Sequence, residues 1–269
     1  MEAYEFGKNN AKKILLIPGN MMCWKQFKDV IPLLEKNYHV IAISTDGYDG
    51  KGTTFTTALS SAEIVEDYIK DNLEGHINLV FGESFGSATA AELFNRQRVR
   101  IDSLILSGPQ YMRMGALTGI LERVIPKNQY KLVKNIAAAK KAGKMPLMLK
   151  LYTRASDETL FEEFNGLAEN ISLETLKNCT SEGLKLYSEI ERFEIRPEAH
   201  VSIWYGEKEP NMKKALKILT RIYPNAEVHP FPGMGHGEII GHPDIMAHAI
   251  NEFINNHASC AIKTAPSKT

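Results

Sequence analysis

Ile77-Asn78-Leu79-Val80-Phe81-Gly82-Glu83-Ser84-Phe85-Gly86-Ser87-Ala88-Thr89-Ala90-Ala91-Glu92-Leu93-Phe94 is the stretch on which the fold turns. Its first five residues form a short apolar run that stops at a glycine. Its last eight favour a helix. Between them stands Gly-x-Ser-x-Gly, so a strand passes into a helix through a turn with serine at its centre. Chance supplies roughly 0.1 such matches in a chain of this length, since glycine makes up only about 7% of average sequences. The position between strand and helix adds a mechanical reason. A sharp turn there lifts the serine hydroxyl above the sheet edge, and side chains in place of the glycines would strike the neighbouring strand and helix. Ala88, Ala90 and Ala91 let that helix lie close on the sheet. A glycine-rich phosphate-binding turn is the competing reading. It lacks support, because there is neither a G-x-G-x-x-G pattern nor a Lys-Ser/Thr ending.

Similar apolar runs lie to either side. Ile14–Ile17 stops at Pro18-Gly19, and Val40–Ile43, Leu104–Leu106, Val201–Tyr205 and Val228–Phe231 complete the set. Runs this short bounded by Gly or Pro read as strands buried on both faces, as in a parallel sheet. Helical spacing separates them. Trp24, Phe27, Ile31 and Leu34 share a face, with Pro32 ending or distorting the last turns. Ser60 with Glu63 makes a capping-box pattern before Ile64, Val65, Tyr68, Ile69 and Leu73. Pro243-Asp244 opens a final helix with Ile245, Ala249, Ile250 and Phe253 inward. Alternating strands and helices predict right-handed crossovers and an α/β fold, a mostly parallel, doubly wound sheet.

One segment breaks the alternation. About 90 residues between Pro109 and His200 contain no convincing strand, far more than the ~2–6 residues of an ordinary connection. The expected division is a core of residues 1–109 and 200–257, an inserted helical cap of residues 110–199, and a disordered tail of residues 258–269. Charge is segregated within the insert: Arg123–Arg154 carries nine Lys/Arg and no acid, while Ala155–Ala199 carries eleven Asp/Glu and four Lys/Arg. Complementary or solvated helical layers are the plainer reading, and a basic lip for anionic substrates the sharper one.

Thirty-two Lys+Arg balance thirty-two Asp+Glu, so no net field draws the molecule to nucleic acid or an anionic membrane. No apolar run reaches the ~18 residues of a membrane span. The acidic start Met1-Glu2-Ala3-Tyr4-Glu5-Phe6 does not resemble a secretory signal. Cys23, Cys179 and Cys260 form neither a disulfide framework nor a zinc motif. These features predict a soluble cytoplasmic protein with a small-molecule substrate, without metal or cofactor.

A serine hydroxyl needs a base, and the base an orienting acid. Of eight histidines, His236 in Gly233-Met234-Gly235-His236-Gly237 follows the last strand, where open α/β sheets place their ligands. His39, His76 and His257 sit in junctions, His200 opens a strand and His242 precedes a helix. The loop Gly206-Glu207-Lys208-Glu209 after the preceding strand offers two carboxylates.

The order Ser84, acid, His236 on three such loops resembles the α/β-hydrolase superfamily, over about Lys12 to His257. Its loop commonly reads Gly-x-x-Asp, which aligns the acid with Glu209 and leaves Glu207 as the alternative; glutamate here departs from the usual aspartate. The resemblance implies an oxyanion hole from the backbone N–H groups of Asn20, in Pro18-Gly19-Asn20-Met21, and Phe85, with Met21 an alternative first donor. It implies one early strand fewer than eight and a cap over the pocket, where Met21, Tyr111 and Met112 approach the substrate. The helical spacing of Leu160, Phe161, Phe164 and Leu167 predicts that one face of a cap helix packs downward. The implied activity is a carboxylesterase-like serine hydrolase. Thioester or amide hydrolysis, C–C cleavage and acyl transfer remain on the same machinery, and a binding protein without turnover is the reading from another class.

Overall fold

The computed structural model describes residues 1–111, 115, 118–141 and 170–261, with side chains in all of these except 136–141 and 257–261. Seven strands form one sheet: β1 (Glu2–Phe6), β2 (Lys13–Ile17), β3 (His39–Ser44), β4 (His76–Glu83), β5 (Arg100–Ser107), β6 (Val201–Gly206) and β7 (Glu227–Phe231). Their spatial order is β1-β3-β2-β4-β5-β6-β7. Every neighbouring pair is parallel except β1 with β3. From β2 the chain winds outward to β3, then returns to place β4 on the other side of β2. Connections leaving β2 and β4 therefore diverge, and the crevice at their C-terminal ends is where such sheets bind ligands.

Strand alternation sorts the core into two layers. Leu15 and Ile17 of β2 face one side, with α2 (Ala58–Asn72), α3 (Gly86–Arg96) and α6 (Met212–Ile222). Ile14 and Leu16 face the other, with a 3-10 turn (Trp24–Phe27), α1 (Ile31–Leu34) and α7 (Pro243–Ala261). Fully burying each such side chain contributes roughly 1.5–3 kcal/mol. Two long helices, α4 (Thr118–Lys141) and α5 (Leu173–Ile190), lie between β5 and β6 in sequence and pack together. Among the described residues no helix is long and apolar enough to cross a membrane.

Several local expectations change. The apolar runs do not mark strand β1: two glutamates, Glu2 and Glu5, interrupt it, and it is held by Tyr4 stacked on Trp24 (4.7 Å between ring centroids) and by Glu5 against His39 (2.7 Å). Pro32 divides the expected first helix into a 3-10 turn and the single turn α1, whose start it occupies. Helix α2 begins three residues earlier than the Ser60 capping box, because the Thr57 side chain accepts from the Ser60 N–H at 3.0 Å. Ile64 and Ile245 are exposed on their helices, and Met246 takes an inward place in α7. Strand β7 is an exposed edge rather than doubly buried, and an edge tolerates its Pro230. Helix α7 runs to Ala261, so four residues assigned to the tail are helical. Residues 262–269, Met112 and the cap residues Leu160, Phe161, Phe164 and Leu167 lie outside the described residues.

Candidate active site

Ser84 stands between β4 and α3 with φ of +51°, a left-handed conformation that is uncommon for a residue with a Cβ. The turn is locked on both sides. The Ser84 N–H donates to the Ser107 carbonyl on β5 at 2.7 Å, and the Ser87 hydroxyl donates to the Gly82 carbonyl at 2.8 Å. The flanking glycines are required by close approach. A Cβ on Gly86 would sit 2.6 Å from the Ile17 carbonyl oxygen, and one on Gly82 would sit 2.6 Å from that of Gly86. Ala88, Ala90 and Ala91 are buried against the sheet. Strain held by surrounding structure in this way is characteristic of functional sites.

The sheet brings two distant loops to this serine. Ser84 Oγ lies 2.8 Å from His236 Nε2, and His236 Nδ1 lies 3.2 Å from Glu209 Oε2. The Glu209 side chain is 1% exposed, and its other oxygen accepts the Gly206 N–H at 3.2 Å. Glu207 instead points outward and accepts the Gly233 N–H at 2.9 Å. The Glu209 carboxylate raises the His236 pKa above the ordinary imidazole value by hydrogen bonding to it; burial opposes this, and the charges of Glu209 and Glu83 add to the rise. Gln110, at 3.4 Å from both Glu209 Oε2 and His236 Nδ1, closes the group from the end of β5.

Opposite them lies the loop after β2. The Gly19 N–H is taken by Gln26 Oε1 at 2.8 Å, and the Met22 N–H returns to the Gly19 carbonyl at 3.2 Å. Met21 is left-handed at φ +61°, and its backbone lies close to the Tyr48 hydroxyl. That hydroxyl donates to Asn20 Oδ1 at 2.8 Å and lies 3.0 Å from Cys179 Sγ on α5. Phe85 directly precedes α3, so its N–H is one of the amides with no acceptor inside the helix. Helix α5 covers this corner: Leu176 and Cys179 pack with Tyr48 and Phe55, and Met21 and Phe85 rest against that cluster.

Tyr111 is placed elsewhere. It is 2% exposed and lines a small cavity with Ala58, Ala88, Glu92, Leu186 and Ile190, a packing position. Tyr48 and Glu83 were not singled out by sequence reading. Tyr48 gives no local signal, because it reaches the loop only through the sheet. Glu83 did give one, being an acid at the end of an apolar strand. Its side chain is fully buried, and neither oxygen has a hydrogen-bond partner. Two other histidine–carboxylate pairs, His39 with Glu5 and His76 with Asp102, tie strands together, and His248 with Glu252 pairs along α7. No group of three His, Cys, Asp or Glu among the described residues is placed to hold a metal.

The alpha/beta hydrolase fold family's sequence profile matches residues 12–243. The chain belongs to the α/β-hydrolase fold family. No curated protein matches its sequence significantly. Among solved structures, an α/β-hydrolase family protein from Desulfitobacterium hafniense is 21% identical at a TM-score of 0.72, over 94% of this chain and 100% of that one. An esterase from a marine microorganism is 15% identical at 0.69, over 94% and 98%. A bromoperoxidase from Bacillus anthracis is 16% identical at 0.72, over 94% of each chain. At these identities the likeness is one of fold.

Proposed function

We propose that this α/β-hydrolase is a serine hydrolase that cleaves a carboxylic ester of a small or medium acyl substrate through an acyl-enzyme. The observation that carries the proposal is the 2.8 Å contact between Ser84 Oγ and His236 Nε2, continued through His236 Nδ1 to the buried Glu209. Ser84 Oγ attacks the acyl carbonyl as His236 takes its proton. Glu209 holds the imidazole tautomer with Nε2 free and stabilises the imidazolium. His236 then returns the proton to the leaving alcohol, and water enters by the same base to release the acid. No cofactor takes part.

The backbone N–H groups of Asn20 and Phe85 are the proposed oxyanion donors, and losing one such donor typically costs ~10²–10³ in rate. Asn20 is preferred to Met21 because it directly follows Pro18-Gly19, the position the family resemblance assigns to the first donor. Helices α4 and α5 are read as part of a cap, since α5 packs over Phe85 and Met21. Met21 then borders the acyl pocket, whereas Tyr111 supports the cap from the core. An ester is the commonest substrate of the family; thioesters, amides, C–C bonds and acyl transfer would use the same residues. A panel of chromogenic esters of increasing chain length, run with Ser84→Ala, tests the proposal. Ser84-dependent turnover with a chain-length optimum is expected, and identical rates for the two proteins would overturn it.

A further inference from the structure

Among the described residues, Glu83 is the one buried acid beside the site that the proposed mechanism leaves unused. It ends β4, immediately before Ser84, and its side chain is buried. A Cβ on Gly237 would sit 3.2 Å from Glu83 Oε1, so the carboxylate packs against the residue that follows His236. Gly237 itself is left-handed at φ +66°. Any side chain there would both strain the loop and press on the carboxylate.

Among the described residues, only the Ser107 side chain lies near enough to favour the charged form by hydrogen bonding, and it makes no well-formed bond to either oxygen. A carboxylate buried so poorly satisfied is costly, and packing alone gives no reason for one. Burial raises the Glu83 pKa to about 7; Ser107 and the charge of His236 favour ionisation, and Glu209 opposes it. His236 in turn feels both Glu209 and Glu83. These three titratable groups come from β4, the loop after β6 and the loop after β7, so they meet from separate parts of the sheet.

We propose that Glu83 is a positioning residue for the reaction: a second carboxylate, packed beneath the His236–Gly237 loop, whose negative charge supports the imidazolium formed during catalysis. Glu209 orients the ring by its contact with Nδ1, while Glu83 acts on it through space without touching it. The arrangement joins the two ionisations. An active site needs His236 neutral to take the Ser84 proton and Glu83 ionised to stabilise the result. Interacting groups of this kind titrate as a set. The acid limb of the pH profile then carries two ionisations instead of one.

The inference rests on the serine-hydrolase reading, and fluorophosphonate labelling separates the two because it needs no knowledge of the substrate. The second-order labelling rate is measured from pH 5 to 9 for the wild type, Glu83→Gln and Ser84→Ala. Expected are a wild-type acid limb steeper than one proton, a Glu83→Gln limb of a single proton displaced to lower pH, and a plateau lowered about tenfold, equivalent to one pKa unit of imidazolium stabilisation. Melting temperatures provide the control. Removing an unpartnered carboxylate should leave Glu83→Gln at least as stable as the wild type above pH 7, so its slower labelling is not a folding defect. A Glu83→Gln profile that superimposes on the wild type overturns the inference while the triad stands. Wild-type labelling no faster than Ser84→Ala overturns the hydrolase reading itself. If Glu83→Gln does not fold, Glu83→Asp serves instead: keeping the two-proton limb supports the inference, and a one-proton limb overturns it.

Discussion

Gly108 offers a sharp test of whether the geometry around His236 matters. It lies just past β5 with φ of +56°, and a Cβ added there would meet His236 Cε1 at 2.9 Å, Nδ1 at 3.0 Å and Glu209 Oε1 at 3.3 Å. Carbon atoms rest comfortably at about 3.5–4.0 Å. In Gly108→Ala the ring must therefore withdraw by roughly 0.6 Å or more. That movement disturbs both the 2.8 Å contact to Ser84 and the 3.2 Å contact to Glu209. Misplacement of about 1 Å can cost ~10²-fold, so a loss of 10- to 100-fold in labelling rate is expected. Backbone strain is a separate effect, since an L-residue in the left-handed region costs about 1–2 kcal/mol. Gly52→Ala supplies the control: Gly52 has φ of +74° and nothing within 4 Å of its added Cβ. Gly108→Ala should lose at least as much thermal stability as Gly52→Ala, which carries the backbone strain alone, and only Gly108→Ala should lose reactivity. Fluorophosphonate labelling and melting curves, run in parallel, read the two effects. A Gly108→Ala rate within about threefold of Gly52→Ala, a barrier change of about 0.7 kcal/mol, would refute the reasoning.

Three further outcomes follow from the site. Glu209→Gln should lower kcat by orders of magnitude, because an amide cannot balance the imidazolium, whereas the outward Glu207→Gln should change it less than about tenfold; the opposite ranking in steady-state kinetics would move the acid to Glu207. Glu209 raises the His236 pKa, so the acid limb of kcat/KM should lie above the ordinary imidazole value of ~6.5 and move down in Glu209→Gln; a limb unmoved by that substitution would contradict the pairing. The raised pKa of Glu83 means its protonated form is favoured by the fold, so its contribution to stability is full below the unfolded value of 4.5 and is lost as pH rises through about 7. That loss is on the order of 3 kcal/mol, and denaturant titrations across this pH range should show it in the wild type but not in Glu83→Gln.

The parts of the fold legible in sequence were those where one interaction dominates. Ile14–Ile17 and Ile77–Phe81 are buried on both faces, so their apolar runs announce central strands. The Ser84 turn is legible because Gly82 and Gly86 answer to close backbone approaches visible in the motif itself. Strand β1 was hidden because an edge strand is half-buried and held by long-range contacts, Tyr4 on Trp24 and Glu5 on His39, that no local pattern encodes. The start of α2 was misplaced because both Thr57 and Ser60 are competent caps, and the side chain bonded to the Ser60 N–H chose between them. Glu209 and Glu207 differ by two residues in sequence but by direction in space. The family resemblance favoured Glu209, and the turn after β6 separates the two carboxylates. Tyr48 needed the tertiary fold, since Cys179 lies on a distant helix; Glu83 is marked locally as an acid closing an apolar strand, but only the fold shows that it meets the Gly237 loop.

Peptide mapping after reaction with a fluorophosphonate asks most directly whether Ser84 is an activated nucleophile. At neutral pH the adduct should fall on Ser84 alone, disappear in Ser84→Ala and form far more slowly in His236→Ala, because the hydroxyl then has no base at 2.8 Å. Equal labelling of the wild type and Ser84→Ala, or an adduct on another residue, would contradict it.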